Sequence, residues 1–209
     1  WKSDGTSNGT VMVKDINPGL HEWGHPSDLT VVGNNLYFRA NTNTNGRELW
    51  KSDGTESGTV MIKDINLGSG NSEPNDLIVI GNTLYFSAID GSNGKELWKT
   101  NGTSNGTMMV KDIRNGSQSS HPIEFNKVGN LLLFLANDGI NGEELWRSDG
   151  TTSGTTMLKD IKSGTSSANY QYFTTVGNTL FFQANDGIYG EELWKSDGST
   201  NGTVLVKDI

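Results

Sequence analysis

Short apolar runs bounded by glycine, asparagine and aspartate recur along the whole chain, and they predict an all-β protein. In the first complete repeat the runs cover residues 29–32, 36–40, 48–52 and 59–65. Each run is short and rich in β-branched and aromatic residues, which is the pattern of strands. No window shows the i, i+3, i+4 apolar spacing with caps that an amphipathic helix needs. Four strands are therefore expected in every repeat.

The polar residues between these runs predict tight turns. A Gly-Asn pair such as Gly33-Asn34 separates the first two runs of each repeat, and both residue types tolerate a positive φ. The segment Ser52-Asp53-Gly54-Thr55 separates the third run from the fourth, where side-chain oxygens can accept hydrogen bonds from turn amides. Two antiparallel hairpins per repeat follow from these turns.

The repeat has an almost constant length. Its tryptophans stand at Trp1, Trp50, Trp98, Trp146 and Trp194, so the spacing is 49 residues once and 48 residues three times. A period of this size with four strands is typical of a β-propeller blade. The run 131–135 is apolar on both faces, as expected of a sheet covered on both sides. A β-solenoid is the alternative, although its coils are usually shorter.

The repeat boundaries predict one propeller domain over residues 1–209. It contains a half blade at 1–16 and complete blades at 17–65, 66–113, 114–161 and 162–209. Five copies of the second hairpin and four of the first favour a five-bladed ring with an incomplete first blade. We expect upstream residues or a neighbouring chain to complete that blade, so self-association is one predicted partnership.

The motif at residues 144–151, Glu-Leu-Trp-Arg-Ser-Asp-Gly-Thr, resembles the ELWxxDGT repeat family of bacterial, hyalin-like proteins. The resemblance extends over the whole chain, with Asn101 replacing the motif aspartate in one copy and Ser199 replacing the threonine in another. It implies a propeller-like repeat protein that is extracellular or at the cell surface. It implies no catalytic residues.

The composition of the chain limits the classes of partner that it is expected to bind. The formal net charge of -8 argues against binding to nucleic acid or to an anionic membrane surface, which both need clustered basic residues. No apolar stretch is long enough for a membrane-spanning helix, so no membrane insertion is expected. There is no cysteine, which excludes disulfides and thiolate chemistry. The chain begins inside a repeat, and a leader could have preceded it.

The loops that connect consecutive blades vary, and they hold the candidate ligand-binding residues. An aromatic ring beside polar groups suits sugar binding, because the ring covers the apolar face of the sugar. The alternative is that these aromatic residues only cover the edge of the core. The predicted binding residues are His21, Trp23, His25, His121, Tyr170 and Tyr172.

Acidic loops between the second and third strands of a repeat could bind calcium. Asp90, Asp138 and Asp186 lie there with amide oxygens and glycine nearby. The loops carry few carboxylates, so Asx turns without a metal are the favoured interpretation, and no other cofactor is expected. A zinc site at His21 and His25 is not favoured, because a glycine- and proline-containing loop does not present them together as a helix would.

The repeated glutamates Glu48, Glu96, Glu144 and Glu192 occur in every blade, which favours a structural role in ion pairs or turn caps. No isolated acid pair or Ser–His–Asp arrangement stands out. The sequence therefore predicts a non-enzymatic, lectin-like binding or adhesion module whose partner is a glycan or an extracellular surface. A purely structural repeat array is the alternative, and a glycan hydrolase is the less favoured third hypothesis.

Overall fold

The computed structural model describes residues 1–19 and 23–208, and it is an all-β propeller of four-stranded antiparallel blades. Strand order within each sheet follows the chain. The described residues contain no helix, and so none that could cross a membrane. The strands are β1(Ser27–Val32), β2(Asn35–Thr42), β3(Gly46–Ser52) and β4(Val60–Lys63); β5(Asn75–Ile80), β6(Thr83–Ile89), β7(Lys95–Thr100) and β8(Met108–Lys111); β9(Ile123–Val128), β10(Leu131–Asn137), β11(Glu143–Ser148) and β12(Thr156–Lys159); and β13(Gln171–Val176), β14(Thr179–Asn185), β15(Glu191–Ser196) and β16(Val204–Lys207).

The first strand of each blade lies nearest the propeller axis. β1 contacts β5, β5 contacts β9, and β9 contacts β13, although each belongs to a different sheet. The edge strands therefore converge, while the fourth strands form the outer rim. The predicted fold class is confirmed, and the predicted number of five blades is not.

The outer hairpin is held by the polar residues of the repeated motif. Gly54 has a φ of +85°, which a side chain would strain. Asp53 Oδ1 accepts hydrogen bonds from the Thr55 amide at 2.9 Å and the Thr55 hydroxyl at 2.7 Å. The hydroxyls of Ser52 and Thr59 close the base of the hairpin at 2.7 Å. The predicted role of Ser-Asp-Gly-Thr as a turn is confirmed.

Consecutive blades pack through two different apolar faces. We call the surface that packs on the following blade the forward face and the surface that receives the preceding blade the rear face. Tyr37, Leu49 and Ile62 belong to the forward face of the first blade. They pack against Phe86 and Trp98 of the second blade's rear face, and Leu49 and Phe86 are fully buried. The repeated tryptophan thus packs in the interface between consecutive blades.

A lysine on the fourth strand of each of the first three blades also joins it to the next blade. Its ammonium donates a hydrogen bond to a backbone carbonyl at the base of the next outer hairpin. The pairs are Lys63 to Thr107 at 2.9 Å, Lys111 to Thr155 at 2.8 Å and Lys159 to Thr203 at 2.9 Å. These bonds have one fixed geometry because every interface uses the same repeat positions.

The glutamate of the repeated motif is buried inside the blade. Glu48 is fully buried, and its carboxylate accepts hydrogen bonds from the amides of Ile65 and Asn66 and from the Ser72 hydroxyl. Burial raises its pKa to about 7. Glu48 therefore caps the loop that leads to the next blade, which is one of the two structural roles that its recurrence predicts.

Residues 1–16 pack on the first blade and form a loose version of the outer hairpin. One β-bridge joins Lys2 and Val11. Lys14 Nζ donates to the Thr59 carbonyl at 2.8 Å, and Lys2 Nζ donates to the Gly54 carbonyl at 3.0 Å. This segment, which we call the N-terminal hairpin, therefore uses the same contacts as a complete blade.

Candidate functional site

Each innermost strand begins with a β-bulge, and the bulge falls at the same repeat position in every blade. In the first blade Ser27 pairs with Arg39 and Thr30 pairs with Tyr37. Asp28 and Leu29 therefore lie opposite one residue of β2. A bulge of this kind bends the strand and changes the direction of its side chains.

The bulge residue has a left-handed backbone in all four blades. Such a backbone costs a residue with a side chain about 1–2 kcal/mol, so the surrounding structure must enforce it. The four residues, spaced by 48, are Asp28 (φ 55°), Asp76 (φ 57°), Glu124 (φ 55°) and Tyr172 (φ 56°). The propeller thus brings three carboxylates and one tyrosine to equivalent positions around its axis.

Two of these carboxylates line one cleft, which we call the central cleft. It has a volume of about 340 Å³ and is lined by Asp76, Leu77, Ile78, Glu124 and Phe125. The residues come from β5 and β9, the inner strands of neighbouring blades. The cleft therefore combines two acidic side chains with the apolar side chains of Leu77, Ile78 and Phe125.

Asp28, on the adjacent blade, is neutralised by an arginine. Arg39 Nε lies 2.6 Å from Asp28 Oδ2, and Arg39 also donates to Ser27 Oγ at 2.7 Å. Its guanidinium reaches the second blade, where it bonds Asn75 Oδ1 at 2.5 Å and lies 3.7 Å from Glu73. Arg39 thereby joins the first two blades next to their inner strands.

Asp76 is less exposed to water than the other two bulge carboxylates. Burial raises the pKa of its carboxyl above the usual value, and the negative charge of Asp28 raises it further. The ammonium of Lys95 and a hydrogen bond from Ser87 at 3.4 Å act in the opposite direction. Burial in turn lowers the pKa of Lys95. Asp76 is thus suited to hold a proton at a higher pH than an ordinary aspartate.

Glu124 has a different electrostatic environment. It is exposed to solvent, and its neighbour at the position of Lys95 is an acid, Glu143. Burial raises the pKa of Glu143, the charge of Glu124 raises it further, and His121 lowers it. Asp76 therefore has a positively charged neighbour, Lys95, whereas Glu124 has an acidic neighbour, Glu143.

The structure places the predicted ligand-binding residues in three kinds of position. His25 and His121 lie three residues before a bulge and share its left-handed backbone, and Tyr172 is itself a bulge residue. Trp23 is 66% exposed and contacts the His25 ring edge-on at 5.4 Å. His21 lies outside the described residues.

Tyr170 is buried between the third and fourth blades, and this removes it from any ligand surface. Its hydroxyl donates a hydrogen bond of 2.5 Å to Glu144 Oε2. Its ring packs near Phe173 and Phe182. The predicted binding role of Tyr170 needs correction, because an aromatic residue in a blade-connecting loop here fills the interface between blades.

The aspartates predicted as calcium ligands shape their own loops. Asp90 Oδ1 accepts hydrogen bonds of 2.8 Å from the amides of Ser92 and Asn93, and Asp138 makes the equivalent bonds. Asp186 accepts from two loop amides as well. Among residues 1–19 and 23–208 no three acidic or histidine side chains are grouped around a metal position. Asx turns account for these contacts, and calcium binding stays a prediction.

The central cleft was not predicted from the sequence. Asp28 and Asp76 directly precede the apolar runs of their strands, where acidic residues are common in turns. Aligning the repeats shows three acids in four copies at one position. That signal alone does not show that the position faces the axis, which depends on the bulge.

Comparison with solved structures shows that this chain shares its fold with a known structure. No family model and no curated protein matches it. A mutant puromycin hydrolase complexed with PGG is 13% identical, with a TM-score of 0.55 over 85% of this chain and 28% of its own length. A Bacteroides ovatus xyloglucan enzyme, GH43B, is 16% identical, with a TM-score of 0.44 over 88% of this chain and 40% of its own. The chain thus spans well under half of either protein, and the likeness to the first shows a propeller fold alone.

The comparison corrects the functional prediction made from the sequence. That prediction was a non-enzymatic binding or adhesion module, with a structural repeat array as the alternative. The solved structure with which this chain shares its fold at a TM-score of 0.55 is named as a hydrolase, so the fold does not indicate a non-enzymatic module. The prediction rested on finding no acid pair outside the repeated motif, and the central cleft contains one.

Proposed function

We propose that the chain is a hydrolase domain that cleaves glycosidic bonds in the central cleft. The observation that carries this proposal is that Asp76 and Glu124, from neighbouring blades, line the same cleft, and burial raises the pKa of Asp76. Most glycoside hydrolases use two carboxyl groups that flank the scissile bond, one of which holds a proton. The proposal departs from the expectation that the chain is not an enzyme.

Asp76 has the proton-donating role in this proposal. Burial keeps its carboxyl protonated to a higher pH, so it can protonate the oxygen of the leaving sugar. Glu124 supplies the second carboxylate, which activates water or attacks the anomeric carbon. Phe125 gives the cleft an aromatic surface on which the apolar face of a sugar ring can pack.

The other acids near this end of the propeller fit the reaction less well. Glu48 and Glu96 are fully buried and cap loops, so they cannot reach a substrate. Asp28 is paired with Arg39 at 2.6 Å. The carboxylate of Asp90 accepts hydrogen bonds from its own loop. Asp76 and Glu124 are therefore the pair to test.

Hydrolysis of chromogenic aryl glycosides and release of reducing ends from a polysaccharide panel test the proposal. We expect Asp76→Asn and Glu124→Gln each to lower the rate by about 10²–10⁴-fold, because each removes acid–base chemistry and keeps the side-chain shape. Asp76→Asn should also remove the limb of the pH–rate profile that reports the proton donor.

Glu56→Gln is the matched control, because Glu56 is exposed in an outer hairpin far from the inner strands. Its activity should equal that of the unchanged protein. A panel that yields no hydrolysis by the unchanged protein would refute the proposal. Activity retained in both Asp76→Asn and Glu124→Gln would refute the assignment of the two residues.

A further inference from the structure

An open hollow lies on the first blade, next to the central cleft, and we call it the arginine hollow. It has a volume of about 300 Å³ and is lined by His25, Pro26, Ser27, Arg39 and Arg47. Arg39 donates a hydrogen bond of 2.5 Å to Asn75 Oδ1, and Asn75 directly precedes Asp76 of the central cleft. A chain of sugars in the central cleft can therefore reach the arginine hollow.

The two arginines are specific to the first blade. The equivalent positions in the later blades hold Ser87, Leu135 and Gln183 for Arg39, and Lys95, Glu143 and Glu191 for Arg47. Residues that every blade needs for packing recur, as the leucine of the repeated motif does. The other blades form without an arginine at either position, so the packing of the repeat does not account for this pair.

Acidic residues outside the lining of the hollow hold the two guanidinium groups in place. Asp28 Oδ2 lies 2.6 Å from Arg39 Nε, and Glu73 accepts two hydrogen bonds from Arg47 Nη1, at 3.1 Å and 3.0 Å. Of the residues that the structure describes, none bonds Nη2 of either arginine or Nε of Arg47. Each arginine therefore keeps N–H groups with which it can bind an anion.

We propose that the arginine hollow binds the carboxylate of a uronic-acid residue in the polysaccharide that the central cleft cleaves. This inference rests on the proposed hydrolase function and names its substrate class. The planar guanidinium matches a carboxylate in shape and can bind it through two parallel hydrogen bonds. Trp23, which is 66% exposed and contacts the His25 ring at 5.4 Å, supplies an aromatic surface for the sugar ring at the margin of the hollow.

The charges of the two sites determine where the acidic sugar binds. The carboxyl groups of Asp76 and Glu124 repel a sugar carboxylate from the central cleft, whereas two guanidinium groups attract it to the arginine hollow. We therefore expect a neutral sugar at the scissile bond and the uronic acid in the arginine hollow. A polysaccharide that combines neutral and uronic-acid residues has this pattern.

Isothermal titration in the Glu124→Gln background tests the inference, because binding is then measured without hydrolysis. The probes are a glucuronic-acid-substituted xylotetraose, tetragalacturonic acid and the same two oligosaccharides with their carboxyl groups reduced to alcohols. We expect at least one acidic probe to bind at least about tenfold more tightly than its reduced form, and this preference should weaken with added salt. Equal affinities for both pairs would overturn the inference.

Arg47→Gln should remove the preference for the acidic probe and leave the affinity for the reduced probe unchanged. Arg47→Lys should restore part of it, because lysine keeps the charge and lacks the planar fork. Trp23→Ala should instead weaken the acidic and the reduced probe by the same factor. Arg114→Gln is the matched control, since it removes an arginine from the loop between the second and third blades, outside the hollow. Thermal unfolding confirms that each variant is folded.

The outcomes separate this inference from the proposed hydrolase function. A preference for the acidic probe that Arg47→Gln removes supports carboxylate binding even if the unchanged protein hydrolyses no substrate, which refutes the hydrolase proposal alone. Hydrolysis of neutral oligosaccharides without any preference for acidic probes supports the hydrolase proposal and refutes the role of the arginine hollow. A preference that persists in Arg47→Gln also refutes that role.

Discussion

The buried glutamate at the interface of the third and fourth blades makes stability depend on pH in a defined direction. Glu144 is fully buried, and its Oε2 accepts hydrogen bonds from the Tyr170 hydroxyl and the Ile161 amide. Its Oε1 has no hydrogen-bond partner. Burial raises its pKa from 4.5 to about 7, with a smaller contribution from the charge of Asp160. The folded state therefore binds a proton in a range where the unfolded chain does not.

The sign of the effect follows from that difference. Below about pH 4.5 both states are protonated, and the stabilising contribution of the group is fully present. As the pH rises to about 7 the unfolded chain ionises first, so the free energy of unfolding falls. A difference of about 2.5 pKa units corresponds to about 3–4 kcal/mol in total, because one unit is worth about 1.4 kcal/mol. Above that range the loss is complete.

We expect Glu144→Gln to remove this pH dependence, because the side chain of glutamine does not ionise in this pH range. Urea unfolding followed by tryptophan fluorescence, at several pH values between about 5 and 8, measures it. The fall in the free energy of unfolding over that range should be about 3 kcal/mol smaller in Glu144→Gln than in the unchanged protein. The effect of Glu48, whose pKa is raised similarly, should remain.

Glu56→Gln controls for the loss of one carboxylate at an exposed position. Its pH dependence should match that of the unchanged protein. An equal fall in Glu144→Gln and in the unchanged protein would refute the reasoning. The aspartates of the outer hairpins do not interfere, because hydrogen bonds lower their pKa and their effect lies below the ordinary value of 3.8.

Two further predictions concern the outer hairpin, and thermal or urea unfolding measures both. Gly54→Ala should cost about 1–2 kcal/mol, because Gly54 has a φ of +85° and no atom within 4 Å of an added Cβ. Gly102→Ala should cost about 1–3 kcal/mol more than Gly54→Ala, because the added Cβ would lie 2.1 Å from the Tyr37 hydroxyl. Equal losses of stability in the two variants would contradict this packing. Asp53→Asn should change stability little near neutral pH, because its oxygen can still accept the Thr55 hydrogen bonds. Asp53→Ala should lower the unfolding temperature by more than Asp53→Asn does, because it removes the acceptor, and equal effects of the two variants would exclude the acceptor role.

The strands and the turns could be predicted because each depends on nearby residues. Gly33 and Gly54 have the positive φ that their turns need, and the strands lie between them as expected. The blade packing followed from runs that are apolar on both faces, such as β10, of which residues 132–135 are at most 2% exposed. Local propensity and burial pattern agree throughout these elements.

The central cleft could not be predicted because it depends on contacts between blades. Asp76 and Glu124 are 48 residues apart, and the register shift at the start of each inner strand decides where they lie. A strand without the bulge would place alternate residues at the axis. The position of Tyr170 depends in the same way on Glu144 of the preceding blade. The recurrence of Glu48 in every blade predicts a structural role, and its loop contacts support that role. Recurrence does not single out the bulge acids, because an acid occupies that position in only three of the four blades.

The lysine bonds between blades have a consequence for how the chain can be synthesised and folded. Each joins residues 44 or 45 positions apart, so no such bond needs more of the chain than one following repeat. A nascent chain can therefore complete each interface as soon as one further repeat has left the ribosome. Duplication or loss of one whole repeat within a gene would preserve every bond of this kind, which makes the repeat a natural unit of gain and loss in evolution.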